Sequence, residues 1–244
     1  MRISDRIYWV GSGAVGLSAQ GDCHVYAIEG DDALALVDCG ASLDPAGILD
    51  NMRADGLDVS RLRHCFLTHA HYDHANGCPA LRARGVRAAG SAMADRVLRE
   101  GPVAAYGLTS DAPWMCNWRD MPRCALDDVV RDGQVFDLGG VSVRAILTPG
   151  HSADSVCYLA ETPGGRRELF SGDTVFYKGF ISVLGVPLND LAHYPQGMRA
   201  LDGLRADGLY PGHLMWVLRG GQAYIDIANE AFAAHQMPVN KPFS

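Results

Sequence analysis

The amino-acid sequence predicts an α/β fold in which two β-sheets pack together and helices lie on the outside. Short apolar runs bounded by Gly and Asp, which are typical of strands, come ahead of helical segments in the first half of the chain. The same order recurs in the second half, from Asp127 onward. Because no low-complexity linker separates the halves, we expect a single domain over residues 1–244.

The first half begins with three strands and a well-delimited helix. Asp44 followed by Pro45 predicts a helix N-cap with proline in the first turn, and Gly56 predicts the end of that helix. Ser91 is expected to cap a later helix that runs to about Glu100. The expected strands are Ile7–Val10, Val25–Glu29, Leu34–Asp38, His64–Thr68 and Val86–Ala89, and a further helix is expected over Asn76–Arg84.

The second half is predicted to be rich in strands, with two helices towards its end. Its apolar runs are short and are separated by Gly, Pro and Asp, as between neighbouring strands. The expected strands are Asp127–Arg131, Val135–Leu138, Val141–Leu147, Ser155–Ala160, Glu168–Ser171 and Leu209–Tyr210, and the expected helices are Gln196–Arg205 and Gln222–Ala234.

An irregular insertion is expected at about residues 101–125, where no helical or strand period is visible. Long irregular segments in compact domains are often functional. We expect this one to be either a lid or wall of a substrate pocket, or a surface excursion that packs its own aromatic side chains. If it lines a pocket, its apolar side chains form the wall, namely Tyr106, Trp114, Met115 and Trp118.

Composition and charge narrow the classes of partner. The 244 residues are 48% hydrophobic and 20% charged, and the net charge of −7 without a basic run argues against nucleic acid. We see no signal-peptide pattern and no apolar run of about 18 residues, so we expect a cytoplasmic protein without a membrane partner. The seven cysteines are irregularly spaced and are expected to be reduced thiols.

Three of the nine histidines fall within six residues, at His69, His71 and His74, with Asp73 among them. The segment follows a predicted buried strand. Side chains two residues apart on an extended strand end point to one side, and the turn that follows can bring Asp73 and His74 back towards them. Imidazole and carboxylate groups together suit zinc, iron or manganese. The cluster therefore predicts a metal site.

Three later segments share one form: a strand end, a tight turn with Gly or Pro, and then a residue type that binds metal. The ligand types that they present are His151, Asp173 and His213. Each segment alone is weak evidence, because Pro-Gly-His is usually just a turn. Together with the histidine cluster they predict a larger ligand set assembled at strand ends.

The segment Thr68-His69-Ala70-His71-Tyr72-Asp73-His74, followed by His151, Asp173 and His213, resembles the signature of the metallo-β-lactamase superfamily. The resemblance extends over nearly the whole chain. It implies a four-layer αββα sandwich of two mixed β-sheets with outer helices. It also implies that Asp38, in the segment LVDCG at the end of an early strand, supports the ligand loop.

The same resemblance implies two metal ions, most simply two Zn²⁺ per chain, with iron or manganese as alternatives. The first metal would be held by His69, His71 and His151, the second by Asp73, His74 and His213, and both by Asp173. A hydroxide that bridges the metals would be available at neutral pH, because two cations lower the pKa of a shared water. Asp73 is the expected catalytic residue, orienting this nucleophile and carrying a proton to the leaving group.

The superfamily contains several hydrolases, so the substrate is a separate question. We expect cleavage of a small lactone or carboxylic ester. A thioester hydrolase of glyoxalase II type is an alternative, although Lys241 is the only basic residue of 220–244. A mononuclear iron persulfide dioxygenase is another. A β-lactamase is disfavoured, because those enzymes generally lack the bridging Asp and are exported.

Further contacts to a small-molecule substrate are expected from two residues. Tyr177, four residues past Asp173, is placed to donate a hydrogen bond to a substrate carbonyl, or simply to pack at a strand end. His24 starts a strand in DCHVYAI and either faces the metal cleft or is a structural histidine. The apolar residues of the insertion are also compatible with a homodimer contact.

Overall fold

The structure is a computed structural model that describes residues 1–105, 118, 120–184 and 189–241. These residues group into two compact units, Met1–Val130 and Arg131–Ser244. Each unit contains one mixed β-sheet and its own helices, so the predicted α/β class with two mixed sheets is confirmed. The expectation of a single domain stays a prediction.

The first unit is built on a six-stranded sheet with strands in chain order. The first two pairings are antiparallel and the last three are parallel. Parallel neighbours need a crossover, and the helices of this unit supply it. The strands are β1 (Ile7–Gly11), β2 (Val25–Glu29), β3 (Leu34–Val37), β4 (Leu62–Phe66), β5 (Arg87–Gly90) and β6 (Asp128–Val129). The helices are α1 (Ala46–Ala54), α2 (Tyr72–Ala75), α3 (Cys78–Arg82), α4 (Ala92–Glu100) and α5 (Pro102–Ala105), with a 3₁₀ turn at Val59–Arg61.

The parallel pairing of β3 and β4 explains how residues 30 positions apart come together. Both strands run in the same direction, so their carboxyl ends lie at the same edge of the sheet. Asp38 follows β3, and its backbone N–H donates to the carbonyl of Phe66, the last residue of β4. The loop that carries the histidine cluster starts at this point, so Asp38 stands at its base.

The second unit has a five-stranded sheet of order β11-β10-β9-β8-β7. Among the pairings of the described strands in this sheet, β10–β11 is parallel and the others are antiparallel. The strands are β7 (Val135–Asp137), β8 (Ser142–Leu147), β9 (Val156–Glu161), β10 (Arg167–Gly172) and β11 (Gly208–Pro211). The helices are α6 (Tyr194–Arg199) and α7 (Gly221–Ala233), with a 3₁₀ turn at Tyr177–Gly179.

Strand direction in this second sheet brings three predicted ligands to one edge. β8 and β10 are both antiparallel to β9, and β11 is parallel to β10, so all three run the same way. His151 follows β8, Asp173 follows β10 directly, and His213 follows β11. Loops after strands that share a direction meet at one edge, which is where open sheets place ligands.

Most predicted elements are present, with differences at their ends. Pro45, and not Asp44, occupies the N-cap position of α1, although the Asp44 carboxylate still accepts from the Ala46 N–H at 3.1 Å. The helix expected over 76–84 is α3 alone, preceded by the separate one-turn α2. The two are distinct because the Gly77 N–H donates to the Gly40 carbonyl instead of continuing α2. Ser91 caps α4 as predicted, accepting from the Ala94 N–H at 3.1 Å.

Each unit has an apolar core of its own. In the first, side chains of β1 to β5 pack against α1, α3 and α4, with Leu36, Met52 and Val97 fully buried. In the second, Leu169, Tyr194 and Ile225 are among the fully buried residues. Among the described residues, no helix has both the length and the apolar character needed to span a bilayer. The cytoplasmic location stays a prediction.

Candidate metal centre

The first unit gathers four predicted ligands in the loop after β4. Residues 67–71 are irregular, and α2 then places Asp73 and His74 on its single turn. The ring centroid of His69 lies 4.2 Å from that of His71 and 4.0 Å from that of His74. The Nε2 atom of His74 lies 3.5 Å from an Asp73 carboxylate oxygen. The three imidazoles are buried, whereas the Asp73 side chain is 17% exposed.

Asp38 organises this loop through a buried carboxylate that is only 1% exposed. Its Oδ1 accepts from the Thr68 N–H at 2.8 Å. Its Oδ2 accepts from the Thr68 hydroxyl and interacts with Nδ1 of His74, both at 2.8 Å. Asp38 adopts a left-handed backbone conformation, with φ of 62°, which Asp tolerates better than most residues.

These contacts determine which ring nitrogen carries the proton in His69 and in His74. A carboxylate only accepts, so Nδ1 of His74 carries the proton. The Thr68 hydroxyl gives its single hydrogen to Asp38, so its oxygen accepts from Nδ1 of His69 at 3.0 Å. In both rings Nε2 then carries the lone pair, which is the form in which an imidazole nitrogen can bind a metal ion.

Thr68 is therefore part of the site, although its chemistry did not single it out in the sequence. Its only signal there was its position directly before His69 in the motif. Cys23 also lies in this region, and its thiol, Asp38 and His74 are close enough for a metal ion to be considered. Burial raises the pKa of the Cys23 thiol, and Asp38, which would have to share that ion, is already engaged by three donors. We therefore regard Cys23 as packing around the ligand loop.

The second unit brings together the remaining three predicted ligands. One oxygen of Asp173, Oδ2, lies 3.6 Å from Nε2 of His151 and 3.6 Å from Nε2 of His213. Nδ1 of His151 donates to the Ser182 carbonyl at 2.9 Å, which directs its Nε2 towards Asp173. No sequence signal marks Ser182, because it acts through its backbone.

These distances suit metal ligands. Two donor atoms that each lie about 2.0–2.1 Å from a tetrahedral zinc ion are about 3.4 Å apart. The Asp173 oxygen meets this condition with both histidines, and Asp73 meets it with His74. The donors are imidazole nitrogens and carboxylate oxygens, the set that zinc, iron and manganese share. The residues in each unit thus fit a metal-binding role.

The predicted substrate contacts have mixed placements. Trp118 is 5% exposed, and its ring centroid lies 4.3 Å from that of His71, so it packs against a predicted ligand. His24 is buried, with Nδ1 3.0 Å from the Ser12 hydroxyl and its ring edge against Trp9. Tyr177 packs against Phe180 at the 3₁₀ turn after Asp173. Tyr106, Trp114 and Met115 lie outside the described residues.

A cleft of about 620 Å³ lies beside the ligand motif of the first unit. Tyr72, between His71 and Asp73 in the chain, forms part of its wall. The cleft is large enough for a small molecule, and its lining combines polar and apolar groups. The other lining residues are Gln20, Gly21, Ala41, Leu43, Asn76 and Asp120.

Comparison with known proteins shows the family and the fold of this chain. The sequence profile of the metallo-β-lactamase superfamily matches residues 19–219. The chain belongs to the metallo-β-lactamase superfamily. A HARLDQ-motif mutant of the metallo-β-lactamase from Cronobacter sakazakii has the same fold, with a TM-score of 0.74 and 21% identity over 96% of this chain and 95% of that one. The fold expected from the superfamily resemblance is thereby confirmed.

Two curated relatives extend the comparison within the superfamily. The lactamase-like protein nscB of Trichophyton rubrum is 34% identical over 152 residues, which are 62% of this chain and 37% of that protein. The atrochrysone carboxyl ACP thioesterase of Aspergillus fumigatus is 32% identical over 155 residues, 63% of this chain and 38% of that protein. The match therefore spans less than two fifths of the length of either relative. These comparisons show the superfamily and the fold of this chain, and a hydrolase activity is a proposal.

Proposed function

We propose that this chain is a two-metal hydrolase that cleaves an acyl thioester. The observation that carries the proposal is the Asp173 oxygen, which is equidistant at 3.6 Å from the Nε2 atoms of His151 and His213. In the superfamily pattern those histidines belong to different metals, so an oxygen placed evenly between them suits a bridging ligand. Asp173 would thus join a pair of metal ions.

The remaining ligands follow the superfamily pattern. We assign His69, His71 and His151 to one metal, and Asp73, His74 and His213 to the other. Two bound metals would supply a water activated at neutral pH and a Lewis acid for the substrate carbonyl. Zn²⁺ is our first choice for both, since nitrogen and oxygen donors suit it, and iron and manganese remain the alternatives.

The protein's own groups have separate parts in the proposed reaction. Asp38 and Thr68 hold His69 and His74 in the tautomer that leaves Nε2 unprotonated. The part-exposed Asp73 carboxylate orients the attacking water and passes its proton to the leaving group. Trp118, packed on His71, offers an apolar surface to the substrate and keeps water from that side of the imidazole.

The choice of a thioester is supported by the relative named as an ACP thioesterase, at 32% identity. A small lactone or carboxylic ester, expected from the sequence, is the second candidate, since the same attack on a carbonyl serves both and only the leaving atom differs. A glutathione thioester is disfavoured by the single basic residue, Lys241, within 220–244. A small-molecule substrate and a homodimer stay predictions.

Two measurements test this proposal. Elemental analysis should give about two metal ions per chain, and Asp173→Ala should lose metal and nearly all activity. Asp137→Ala is the matched control, because among the described contacts that exposed carboxylate accepts from the Gly139 N–H alone. About one iron per chain together with oxygen uptake would instead support the dioxygenase alternative, and a fully active Asp173→Ala enzyme would refute the bridging role.

The substrate class is tested with compounds that share one acyl group. Phenyl thioester, phenyl ester and the corresponding lactone are assayed with the metal-replete protein and again after chelation. We expect the highest kcat/KM for the thioester and loss of activity on chelation. A preference for the oxygen ester or lactone would favour the second candidate, and activity that persists without metal would reject both.

A further inference from the structure

A pair of cysteines in the first unit lies outside the metal centre and has no part in the proposed reaction. The Sγ atoms of Cys78 and Cys124 are 3.4 Å apart, although the residues are 46 positions apart in the chain. Cys78 is the first residue of α3, and Cys124 lies in the irregular segment before β6. Both belong to the apolar core of this unit.

The two thiols have unequal environments. Cys78 is 0% exposed and Cys124 is 6% exposed, so Cys124 is the more accessible of the two buried residues. The Arg82 guanidinium forms two hydrogen bonds to Asp127, both at 2.8 Å, and its remaining terminal nitrogen lies 3.8 Å from Sγ of Cys124. A positive charge is thus held beside one of the two sulfur atoms.

This arrangement favours the thiolate at one position only. The thiol of Cys78 donates to Cys124, and together with Arg82 this lowers the pKa of Cys124 to about 7. The same hydrogen bond, followed by burial, raises the pKa of Cys78. Burial raises the pKa of Cys23, Cys39 and Cys157 as well. Since the thiolate is the reactive form, Cys124 is the nucleophile and Cys78 is the thiol that resolves it.

We propose that Cys78 and Cys124 are a redox modification site, which closes to a reversible disulfide when a hydroperoxide reaches the native protein. A disulfide has an S–S length of about 2.05 Å, so the sulfur atoms must approach by about 1.4 Å from their present separation. That movement is within the reach of rotation about the two Cα–Cβ bonds and a small backbone adjustment.

The chemistry balances with the hydroperoxide as the two-electron oxidant. The Cys124 thiolate attacks the terminal peroxide oxygen, which forms an S–O bond, breaks the O–O bond and releases hydroxide or alkoxide. The Cys78 sulfur then attacks the sulfenic sulfur of Cys124, and the departing oxygen leaves as water with the Cys78 proton. Two thiols are oxidised, and the hydroperoxide is reduced to water and an alcohol, or to two waters.

The bond would connect two segments that flank the ligand motif. Cys78 comes four residues after the predicted ligand His74, and Cys124 comes six residues after Trp118, which packs on His71. Closing the disulfide therefore ties the segment that follows Trp118 to the helix that follows the motif. The oxidised protein should also unfold at a higher temperature, because the cross-link restricts the unfolded chain.

The test uses the intact protein. It is treated with a small excess of hydrogen peroxide, alkylated with N-ethylmaleimide and digested with trypsin without reductant. Cleavage after arginine gives peptides 64–82 and 124–131. We expect these two to be linked through Cys78 and Cys124, with two fewer alkylated thiols, and we expect dithiothreitol to restore both peptides.

Variants separate this pair from its neighbours. Because peptide 64–82 also contains Cys65, Cys65→Ala must keep the cross-link, and so must Cys116→Ser. Cys78→Ala should abolish it and leave a sulfenic acid on Cys124 that dimedone traps. The rise in unfolding temperature should occur in the oxidised wild type and be absent in Cys78→Ala. A folded wild-type protein that forms no cross-link, or that links Cys124 to Cys65 or Cys116, would overturn the proposal.

Discussion

Replacing Asp38 with Asn tests whether one carboxylate selects the metal-binding tautomer of two histidines. Asn has the same shape as Asp and also tolerates the φ of 62° at this position, so the backbone need not change. Its amide oxygen can still accept from the Thr68 N–H. Its NH₂ group then stands where Oδ2 was, facing the Thr68 hydroxyl and Nδ1 of His74.

An NH₂ group donates and cannot accept, so both supporting interactions reverse. Nδ1 of His74 must become an acceptor, which moves the ring proton to Nε2. The Thr68 hydroxyl no longer gives its hydrogen to residue 38, and it donates instead to Nδ1 of His69, with the same result there. Each supporting contact of this kind is worth about 10–100-fold in metal affinity, or about 1.4–2.8 kcal/mol. We expect at least that loss for Asp38→Asn.

Metal affinity is measured by titrating the chelator-treated protein with Zn²⁺ against a chromogenic chelator, with near-ultraviolet circular dichroism as the check on folding. A buried donor without an acceptor costs about 1–3 kcal/mol, less than the stability of an ordinary domain, so the variant should remain folded. Asp22→Asn is the matched control, since that buried carboxylate accepts from Ala41, Ser42 and Ser18 and touches no imidazole in the described contacts. Wild-type affinity in a folded Asp38→Asn protein would refute the tautomer argument.

Three further predictions concern packing, pH and the substrate surface. Gly77→Ala should lower stability by about 1–3 kcal/mol in urea unfolding, because a methyl group there overlaps the backbone of the loop after β3, whereas Gly47→Ala, in open space on α1, should not. The hydrogen bonds from Arg82 lower the pKa of Asp127 from 3.8 to about 2, so their stabilisation is complete above about pH 4 and is lost as the pH falls towards 2. Arg82→Gln should therefore lower the urea midpoint at neutral pH and differ little from wild type near pH 2; an equal difference at both pH values would contradict this. Trp118→Ala should shift the ratio of kcat/KM between two substrates by about tenfold while metal content stays constant. Loss of metal with an unchanged ratio would show that Trp118 is structural.

Local sequence was sufficient to predict which residues are ligand candidates. A strand, a Gly or Pro turn and a His or Asp follow one another within a few residues, and each of these signals is a property of the local chain. His151, Asp173 and His213 accordingly lie within four residues of the ends of their strands. The weaker predictions were the ends of elements, as at Asp44 and over 76–84, where a contact from Gly77 to the distant Gly40 decides the break between two helices.

Strand pairing decided what the local signals could not. The sequence by itself determined the ligand types, their order and the superfamily, because these depend on residue identity and spacing. The superfamily resemblance implied that Asp38 supports the ligand loop, but only the tertiary structure showed its partners, Thr68 and His74, 30 and 36 residues away. Only the tertiary structure likewise placed Cys78 against Cys124, across 46 residues. These contacts exist because parallel neighbours end at the same sheet edge and crossover helices return the chain to the same core, which no local pattern of residues encodes.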